Sequence, residues 1–325
     1  MAARLVAAIS LLLLAVPFAA NGQTAGKVPR IGFLAGSTPH PSPRTNTFVA
    51  ALRELGYVEG QNVAFEWRAT GGRAERVADL AADLVRLKVD VIVAVDNPSV
   101  AAAQKATRMI PIVMVLATDP VNMGFVASLA RPGSNITGLN QQLAELQGKV
   151  IQLLKEAIPS VSRVAILWSP AEPGRQPHAR SAEEAARGLG LKTQLVGAAS
   201  AAELDSVFTA MARERPDAVL VQPSHTNFLN RARIGELATR YLLPTMGWGR
   251  ETVEAGLLMS YGPNALSMYR RAAYYVDRLL RGAKPADLPV EQPTQFELVI
   301  NKRTAKTLGL TIPASLLLRA DQIID

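Results

Sequence analysis

The sequence contains no cysteine, only three histidines and only 5% aromatic residues among its 325 residues. The absence of cysteine excludes disulfides, thiol nucleophiles, iron–sulfur clusters and zinc sites built from thiolates. His40, His178 and His225 are not paired at the spacing of metal ligands, and the sequence has no Gly-x-Ser-x-Gly nucleophile elbow. Hydrolase and metalloenzyme functions therefore have little support, and we expect no metal and no catalytic residues.

A glycine-rich loop of the kind that binds phosphates is also missing. Gly247-Trp248-Gly249 is only a fragment of a dinucleotide-binding loop, so we expect no cofactor. The net charge of +8 is spread over scattered arginines that have acidic residues nearby. Nucleic-acid-binding proteins concentrate such charge on one stripe or face, so we expect no nucleic-acid partner.

Residues 1–22 have the pattern of a secretory signal peptide. Arg4 precedes a largely apolar run over 5–16, Pro17 ends the run, and small residues follow up to Gly22. The run is shorter than the roughly 20 apolar residues that a membrane-spanning helix needs. An uncleaved membrane anchor is the alternative. Cleavage near Gly22 predicts an exported, periplasmic protein.

The remaining chain predicts an α/β protein with parallel sheets. Hydrophobic residues make up 49% of the sequence and charged residues 19%, which is enough apolar material for a large core. Short β-branched runs, such as 89–95 and 164–168, alternate with segments of helical period, and the alternation restarts after residue 157. This pattern predicts two α/β lobes. It also predicts a short helix over 118–129, one helix over 227–241 and a strand over 257–261.

Polar side chains gather where the predicted strands end, which is where open α/β sheets bind ligands. Taken singly, each is explained equally well as a helix N-cap. Because both lobes present such ends, a cleft between the lobes would bring several of them around one polar group. Aromatic residues near strand ends either fill the core or form the wall of such a cleft. The candidates for ligand binding are Ser37, Thr38, Asn97, Ser99, Thr118, Asp119, Gln222, Ser224, Trp248 and Tyr261.

Several segments are similar to a known family. The chain resembles ABC-transporter substrate-binding proteins of the tryptophan or aromatic-amino-acid-binding type, and the resemblance spans the chain in order after the signal segment. The segments that carry it are IPIV at 110–113, TDPV at 118–121, LARPGSNITG at 129–138, GYVEG at 56–60, GAKPAD at 282–287, LVIN at 298–301 and LGLTIP at 308–313.

The resemblance implies a type I periplasmic-binding fold, in which two Rossmann-like lobes joined by three hinge crossings close on a ligand. By this likeness the N-terminal lobe is 28–139 with 249–284, and the C-terminal lobe is 140–248 with 285–325. The resemblance also implies a small-molecule ligand and an ABC permease of the inner membrane as partner. It adds the residues after Gly138 to the site. There Asn140-Gln141 follow Leu139, where similar proteins can carry Ser-Asp.

These observations together predict a receptor that captures an amino-acid-like solute, aromatic or branched, and does no covalent chemistry. We expect Ser99 and Thr118 to hold a carboxylate and either Asp119 or Asp96 to face an ammonium group. Either Trp248 or Tyr261 would cover the ligand's side chain. Closure would bring Asn97 and Gln222 toward the ligand. The alternatives are an exported sensing domain for a membrane regulator and, with less support, an exported α/β enzyme.

Overall fold

A computed structural model describes residues 28–36, 40–172 and 175–325, so the predicted signal peptide and the candidates Ser37 and Thr38 lie outside it. The chain alternates strands and helices as far as residue 140. The elements are β1 (Arg30–Ala35), α1 (Pro43–Glu54), β2 (Ala64–Ala69), α2 (Val77–Arg86), β3 (Val91–Ala94), α3 (Asn97–Ala106), β4 (Ile112–Ala117) and β5 (Ile136–Asn140).

A second alternation follows and runs to residue 263. Its elements are α4 (Leu143–Ala157), β6 (Arg163–Trp168), α5 (Arg175–Gly188), β7 (Lys192–Gly197), α6 (Leu204–Glu214), β8 (Ala218–Val221), α7 (His225–Leu229), α8 (Arg231–Arg240), β9 (Thr245–Gly247), α9 (Arg250–Glu254) and β10 (Met259–Pro263). The chain ends with α10 (Ala265–Leu280), β11 (Phe296–Asn301), α11 (Lys302–Thr307), α12 (Ala314–Leu317) and β12 (Gln322–Ile324).

The strands form two sheets and hence two lobes, as the sequence predicted. The first sheet has the order β2-β1-β3-β4-β5 and the second β12-β11-β10-β9-β8-β6-β7. All neighbouring strands are parallel except β10 and β11. Each sheet lies between two apolar clusters, because its central strands are buried on both faces. In β1, for example, Ile31 and Phe33 pack on one side and Leu34 on the other.

The chain crosses between the lobes three times. The crossings lie at 140–143, at 263–265 and at 292–295, because α10 packs on α1 and the first sheet while β10 and β11 belong to the second. Residues 290 and 291 still bond to the first lobe through the carbonyls of Leu129 and Gly138. We refer to 28–140 with 265–291 as the first lobe and to 143–263 with 296–325 as the second.

This division differs from the one that the resemblance implied. The segment 249–263 was expected in the N-terminal lobe, but β10 pairs with β9 and β11 and so places it in the second lobe. Conversely, 285–291 stays with the first lobe. The hydrophobic pattern predicts that β10 is a strand, but it contains nothing that selects the sheet in which the strand pairs.

Two predicted helices are wrong. The segment 118–135 forms turns instead of a helix, because Asp119 and Gly124 adopt left-handed backbone angles, with φ of 51° and 69°. The predicted helix over 227–241 is two helices, α7 and α8, which meet at Asn230. Among the described residues, no helix combines the length and the apolar character needed to span a membrane.

Candidate functional site

A cavity of ≈ 130 Å³ lies between the lobes, where strands of both sheets end. From the first lobe it is lined by α1 and by the segments around the ends of β3 and β4, and from the second lobe by the segments that follow β8 and β9. Parallel strands place the loops at their carboxyl ends on one side of a sheet, so the loops of the two lobes meet here. The charged, polar and aromatic residues of the lining are Arg44, Asp96, Gln141, Arg175, Gln222, Ser224, His225, Asn227, Phe228, Arg231, Trp248 and Thr252.

Aromatic rings form part of the cavity wall. Trp248 comes directly after β9 and is 9% exposed, and Phe228 comes from α7. The Trp248 indole lies against Gly262, where a Cβ would be only 3.3 Å from the indole Cε3. Leu116 and Leu257 extend the apolar surface. Small-molecule sites have this character, with apolar walls and a few placed polar groups.

Asp96 contributes a carboxylate at the carboxyl end of β3. It is the N-cap of α3, and its Oδ1 accepts a hydrogen bond from the Ser99 backbone N–H at 2.9 Å. Its Oδ2 accepts another from the Gly36 N–H at 3.0 Å. An ionised carboxylate has about four acceptor positions. Asp96 is therefore held rigidly and still has acceptor capacity for a donor in the cavity.

Three arginines bring positive charge to the lining. Arg175 contacts Glu172 at 3.3 Å, and the Glu172 carboxylate also accepts the backbone N–H groups of His225 and Thr226. Arg231 donates to the Phe228 carbonyl, and its guanidinium lies over the Phe228 ring. The third arginine, Arg44, pairs with a carboxylate of the opposite lobe.

The pair of Arg44 and Glu251 is held in its charged form. Burial by itself would raise the pKa of Glu251, but the Arg44 guanidinium outweighs burial and holds that pKa below its ordinary value. Burial likewise opposes the charge of Arg44, and Glu251 nevertheless raises the pKa of Arg44 above its usual value. Both side chains are therefore ionised at neutral pH.

Besides His225, whose buried Nε2 has no hydrogen-bond partner, two lining side chains keep a buried polar atom unpaired. Asn227 donates from Nδ2 to the carbonyls of Gln222 and Leu167, at 2.8 and 3.5 Å, and this fixes the orientation of its amide. Its Oδ1 has no donor, and the Trp248 Nε1–H has no acceptor. Buried polar groups are normally paired, so both atoms suit hydrogen bonds to a bound molecule.

The sequence-predicted site residues that line the cavity are Asp96, Gln222, Ser224 and Trp248. Gln222 exchanges side-chain hydrogen bonds with Gln147 at 3.3 Å. Ser224 is the N-cap of α7, where its hydroxyl accepts the Asn227 N–H at 2.9 Å. Ser224 is therefore both a helix N-cap and a part of the cavity wall.

Asn97, Ser99 and Thr118 do not line the cavity. The Asn97 side chain bonds to the backbone and hydroxyl of Thr118, and both residues are buried. The Ser99 hydroxyl is also buried, within the first turn of α3, and has no partner. Asn97 and Thr118 thus join the segments that follow β3 and β4, and neither Ser99 nor Thr118 lies in the cavity wall, where the expected carboxylate contact would be made.

Three further candidates also lie away from the cavity. Asp119 accepts hydrogen bonds from the Asn122 side chain. The side-chain Oδ1 of Asn140 accepts the Gln142 backbone N–H at 3.3 Å, within the first crossing between the lobes. The Tyr261 ring stacks on Phe296, with centroids 6.0 Å apart. Of the paired alternatives from the sequence, the structure favours Asp96 over Asp119 and Trp248 over Tyr261.

Sequence reasoning missed five site residues, which are Arg44, Arg175, Asn227, Phe228 and Arg231. All of them lie on α1, α5, α7 or α8, and no motif distinguishes them from other helical residues. His225 had one signal, since it follows a strand end. Among the described residues, no three His, Asp or Glu side chains come together as a metal site.

The two mostly parallel sheets, the three crossings and the cavity between the lobes define a two-lobed ligand-binding protein of the type I periplasmic-binding architecture. The chain belongs to the family of ABC transporter substrate binding proteins, and the sequence model of that family matches residues 39–324. It is 25% identical to a tyrosine-binding protein of Clostridioides difficile over 273 residues, which are 83% of this chain and 78% of that protein.

Two solved structures are similar over nearly their whole length. One is an ABC domain from Streptococcus pneumonia in complex with L-Trp, with 28% identity, a TM-score of 0.85 and coverage of 91% of this chain and 99% of that one. The other is a conserved domain protein from Vibrio cholerae, with 28% identity, a TM-score of 0.83 and coverage of 91% of this chain and 100% of that one.

Proposed function

We propose that this chain is the extracytoplasmic receptor of an ABC importer and that it captures a small amino-acid-like solute, aromatic or branched, by closing its lobes. The interlobe cavity carries the proposal, because it combines aromatic walls, one carboxylate and several arginines. An amino acid presents the matching set of an ammonium group, a carboxylate and a side chain. Relatives that bind tyrosine and L-Trp support this class of ligand.

In this proposal Asp96 binds the ammonium group. Its carboxylate has remaining acceptor positions, and the free Oδ1 of Asn227 is a second acceptor in the same lining. The ligand's carboxylate then lies toward Arg231 or Arg175, which form charge-assisted hydrogen bonds with carboxylates.

The ligand's side chain lies against Trp248 and Phe228. The ≈ 130 Å³ of the cavity suits one ring system, since an apolar cavity of about 150 Å³ binds benzene in another protein. Aromatic pairs add about 0.5–1.5 kcal/mol beyond the burial of their area. Asp96 belongs to the first lobe, and Trp248 and Phe228 belong to the second, so a ligand that contacts all three stabilises the closed state over the open one.

The partner in this proposal is an ABC permease of the inner membrane, which receives the solute from the receptor in the periplasm. Removal of residues 1–22 would release the receptor in mature form. A test of delivery is uptake of labelled L-tryptophan or L-tyrosine by cells with and without the gene. Binding without any change in uptake would favour a sensing role.

The binding experiment uses residues 23–325 and isothermal titration calorimetry with L-tryptophan, L-tyrosine, L-leucine and indole-3-propionate. Indole-3-propionate keeps the ring and the carboxylate of L-tryptophan and lacks the ammonium group. We expect L-tryptophan or L-tyrosine to bind and to raise the melting temperature, since ligand at one hundred times its Kd adds about 2.7 kcal/mol to stability. Tighter binding of indole-3-propionate than of L-tryptophan would contradict the assignment of Asp96, and absence of all binding would contradict the ligand class.

A further inference from the structure

An ion pair joins the two lobes beside the cavity. Arg44 lies on α1 of the first lobe and Glu251 on α9 of the second, and the Arg44 Nε donates to the Glu251 Oε1 at 2.6 Å. The two side chains are only 12% and 28% exposed. Surface ion pairs contribute little to stability, whereas a partly buried charge-assisted hydrogen bond contributes more.

Phe228 extends this contact on the side of the second lobe. The guanidinium carbon of Arg44 lies 4.7 Å from the centre of the Phe228 ring, and that of Arg231 lies 4.6 Å from it. Arg44 also interacts with Tyr269 of α10, in its own lobe. The first lobe therefore holds Arg44 in place and presents it to a carboxylate and a ring of the second lobe.

The position of Glu251 separates this contact from ligand recognition. Arg44 and Phe228 line the ligand cavity, but Glu251 does not. Glu251 lines a second cavity of ≈ 390 Å³ on the other side of Arg44 and Phe228, together with Arg250 and Glu254. A change at Glu251 therefore breaks the interlobe contact and leaves the ligand-facing groups in place.

We propose that Arg44, Phe228 and Glu251 form an interlobe latch that holds the closed state and slows release of the ligand. The proposal rests on the receptor function above, and it assigns to Glu251 a positioning role without ligand contact. Opening of the lobes separates Arg44 from both partners, so the free energy of these contacts is gained only on closure. The latch therefore shifts the open–closed equilibrium toward the closed state even without ligand.

Because the sequence contains no cysteine, two introduced cysteines can be labelled specifically, and this allows a direct test of the latch. Glu75 of the first lobe and Ala201 of the second are exposed, and they line opposite sides of one opening of the cleft. Spin labels are attached to the cysteines introduced by Glu75→Cys and Ala201→Cys. Pulsed electron–electron double resonance then measures the distance between the two labels and hence between the lobes. The distance distribution is measured with and without L-tryptophan, in the labelled parent and in variants at Glu251 and Glu254.

We expect Glu251→Gln to lower the ratio of closed to open molecules by about tenfold, the effect of losing one charge-assisted hydrogen bond. Glu251→Asp, which keeps the charge but is one methylene shorter, should fall between parent and Gln variant. Glu254→Gln is the matched control, because Glu254 pairs with Arg250 on the same helix and makes no ion pair across the lobes. In binding kinetics, Glu251→Gln should raise the dissociation rate and leave the association rate nearly unchanged.

The latch is wrong if Glu251→Gln keeps the parent's distance distribution, if Glu254→Gln changes it equally, or if the parent shows no closed population under any condition. Failure of the receptor function gives a different result. In that case L-tryptophan and L-tyrosine leave the distribution of the parent unchanged, while Glu251→Gln still shifts it toward the open state.

Discussion

The ring of His225, from the second lobe, lies where a side chain on Gly36 of the first lobe would be. A Cβ built on Gly36 would be 2.5 Å from the His225 Cε1 and 2.6 Å from its Nδ1, and it would also lie 2.8 Å from the Asp96 Oδ2. The φ of Gly36 is outside the left-handed region, so its backbone accepts a side chain. The glycine is therefore required both by the approach of His225 from the second lobe and by the Asp96 carboxylate of its own lobe.

Gly36→Ala is expected to hinder closure and to weaken L-tryptophan binding. Overpacking of a close contact costs about 1–3 kcal/mol, which corresponds to roughly a tenfold to hundredfold loss of affinity. Calorimetry gives the affinity, and the interlobe distance gives the closed fraction. His225→Ala in the same chain removes the clashing ring of the second lobe and should restore closure in part, since the close contact with Asp96 remains. An alanine variant that binds and closes as the parent does would show that His225 can move aside.

Asp96→Asn is expected to weaken binding of L-tryptophan by about tenfold or more, since a hydrogen bond to a charged group contributes roughly 1.5–3 kcal/mol. Asparagine is also a good N-cap, so α3 keeps its first turn. Indole-3-propionate, which has no ammonium group, is the matched ligand and should bind the parent and the variant alike. Equal losses for both ligands would mean that Asp96 acts only on the local structure.

Trp248→Leu is expected to lower the affinity for aromatic amino acids, because the indole forms part of the cavity wall. Tyr261→Leu is the matched control, since that ring stacks on Phe296 away from the cavity. The control should lower the melting temperature without a comparable change in affinity. Calorimetry of both variants with L-tryptophan and L-tyrosine shows which of the two rings, Trp248 or Tyr261, contributes to ligand affinity. A larger loss of affinity at Tyr261 would restore the alternative that the sequence left open.

The pair of Arg271 and Glu291 predicts a pH dependence of stability. Arg271 on α10 donates from Nε and Nη2 to the Glu291 carboxylate at 2.7 and 2.6 Å, next to the third crossing. This hydrogen bonding holds the pKa of Glu291 below its ordinary value in the folded state. A lowered carboxyl pKa gives stability that is present above the unfolded-state pKa and is lost as the pH falls through the folded-state pKa.

Thermal unfolding of the parent and of Glu291→Gln over a series of pH values tests this sign. The melting temperature of the parent should exceed that of the variant at neutral pH, and the difference should disappear in acid. Both side chains are about two-fifths exposed, so we expect a small difference that salt reduces further. A difference that grows as the pH falls would contradict the assignment.

Most of the architecture was predictable because the strands of parallel sheets have a local signal. The run over 89–95 is almost entirely apolar, as burial on both faces requires, and it contains β3. The failures lie where the signal is not local. Asp119 resembled a helix cap in sequence, but its left-handed backbone begins a turn. The strand β10 was predicted as a strand and assigned to the wrong lobe, because its partners are far away in the sequence.

The residues of the candidate site also fall into a group that a local sequence signal predicts correctly and a group whose orientation depends on packing. Gln222, Ser224 and Trp248 were found because they follow strands, and the end of a strand is visible in the sequence. Asn97 and Thr118 satisfied the same rule, yet their side chains bond to each other behind the cavity wall. Position along a strand therefore predicts which loops approach the cavity, and only packing decides which side chains face it.

The sequence alone determined the alternation of strands and helices. Its lack of cysteine and its few unpaired histidines excluded thiol chemistry and left little support for metal sites. The motifs that it shares with its family indicated the class of protein. These properties depend on residues close together in the chain. The tertiary structure decided that Arg44 meets Glu251 and Phe228 and that His225 covers Gly36. Those contacts join residues of two lobes, and they exist only because the three crossings let the lobes close on each other.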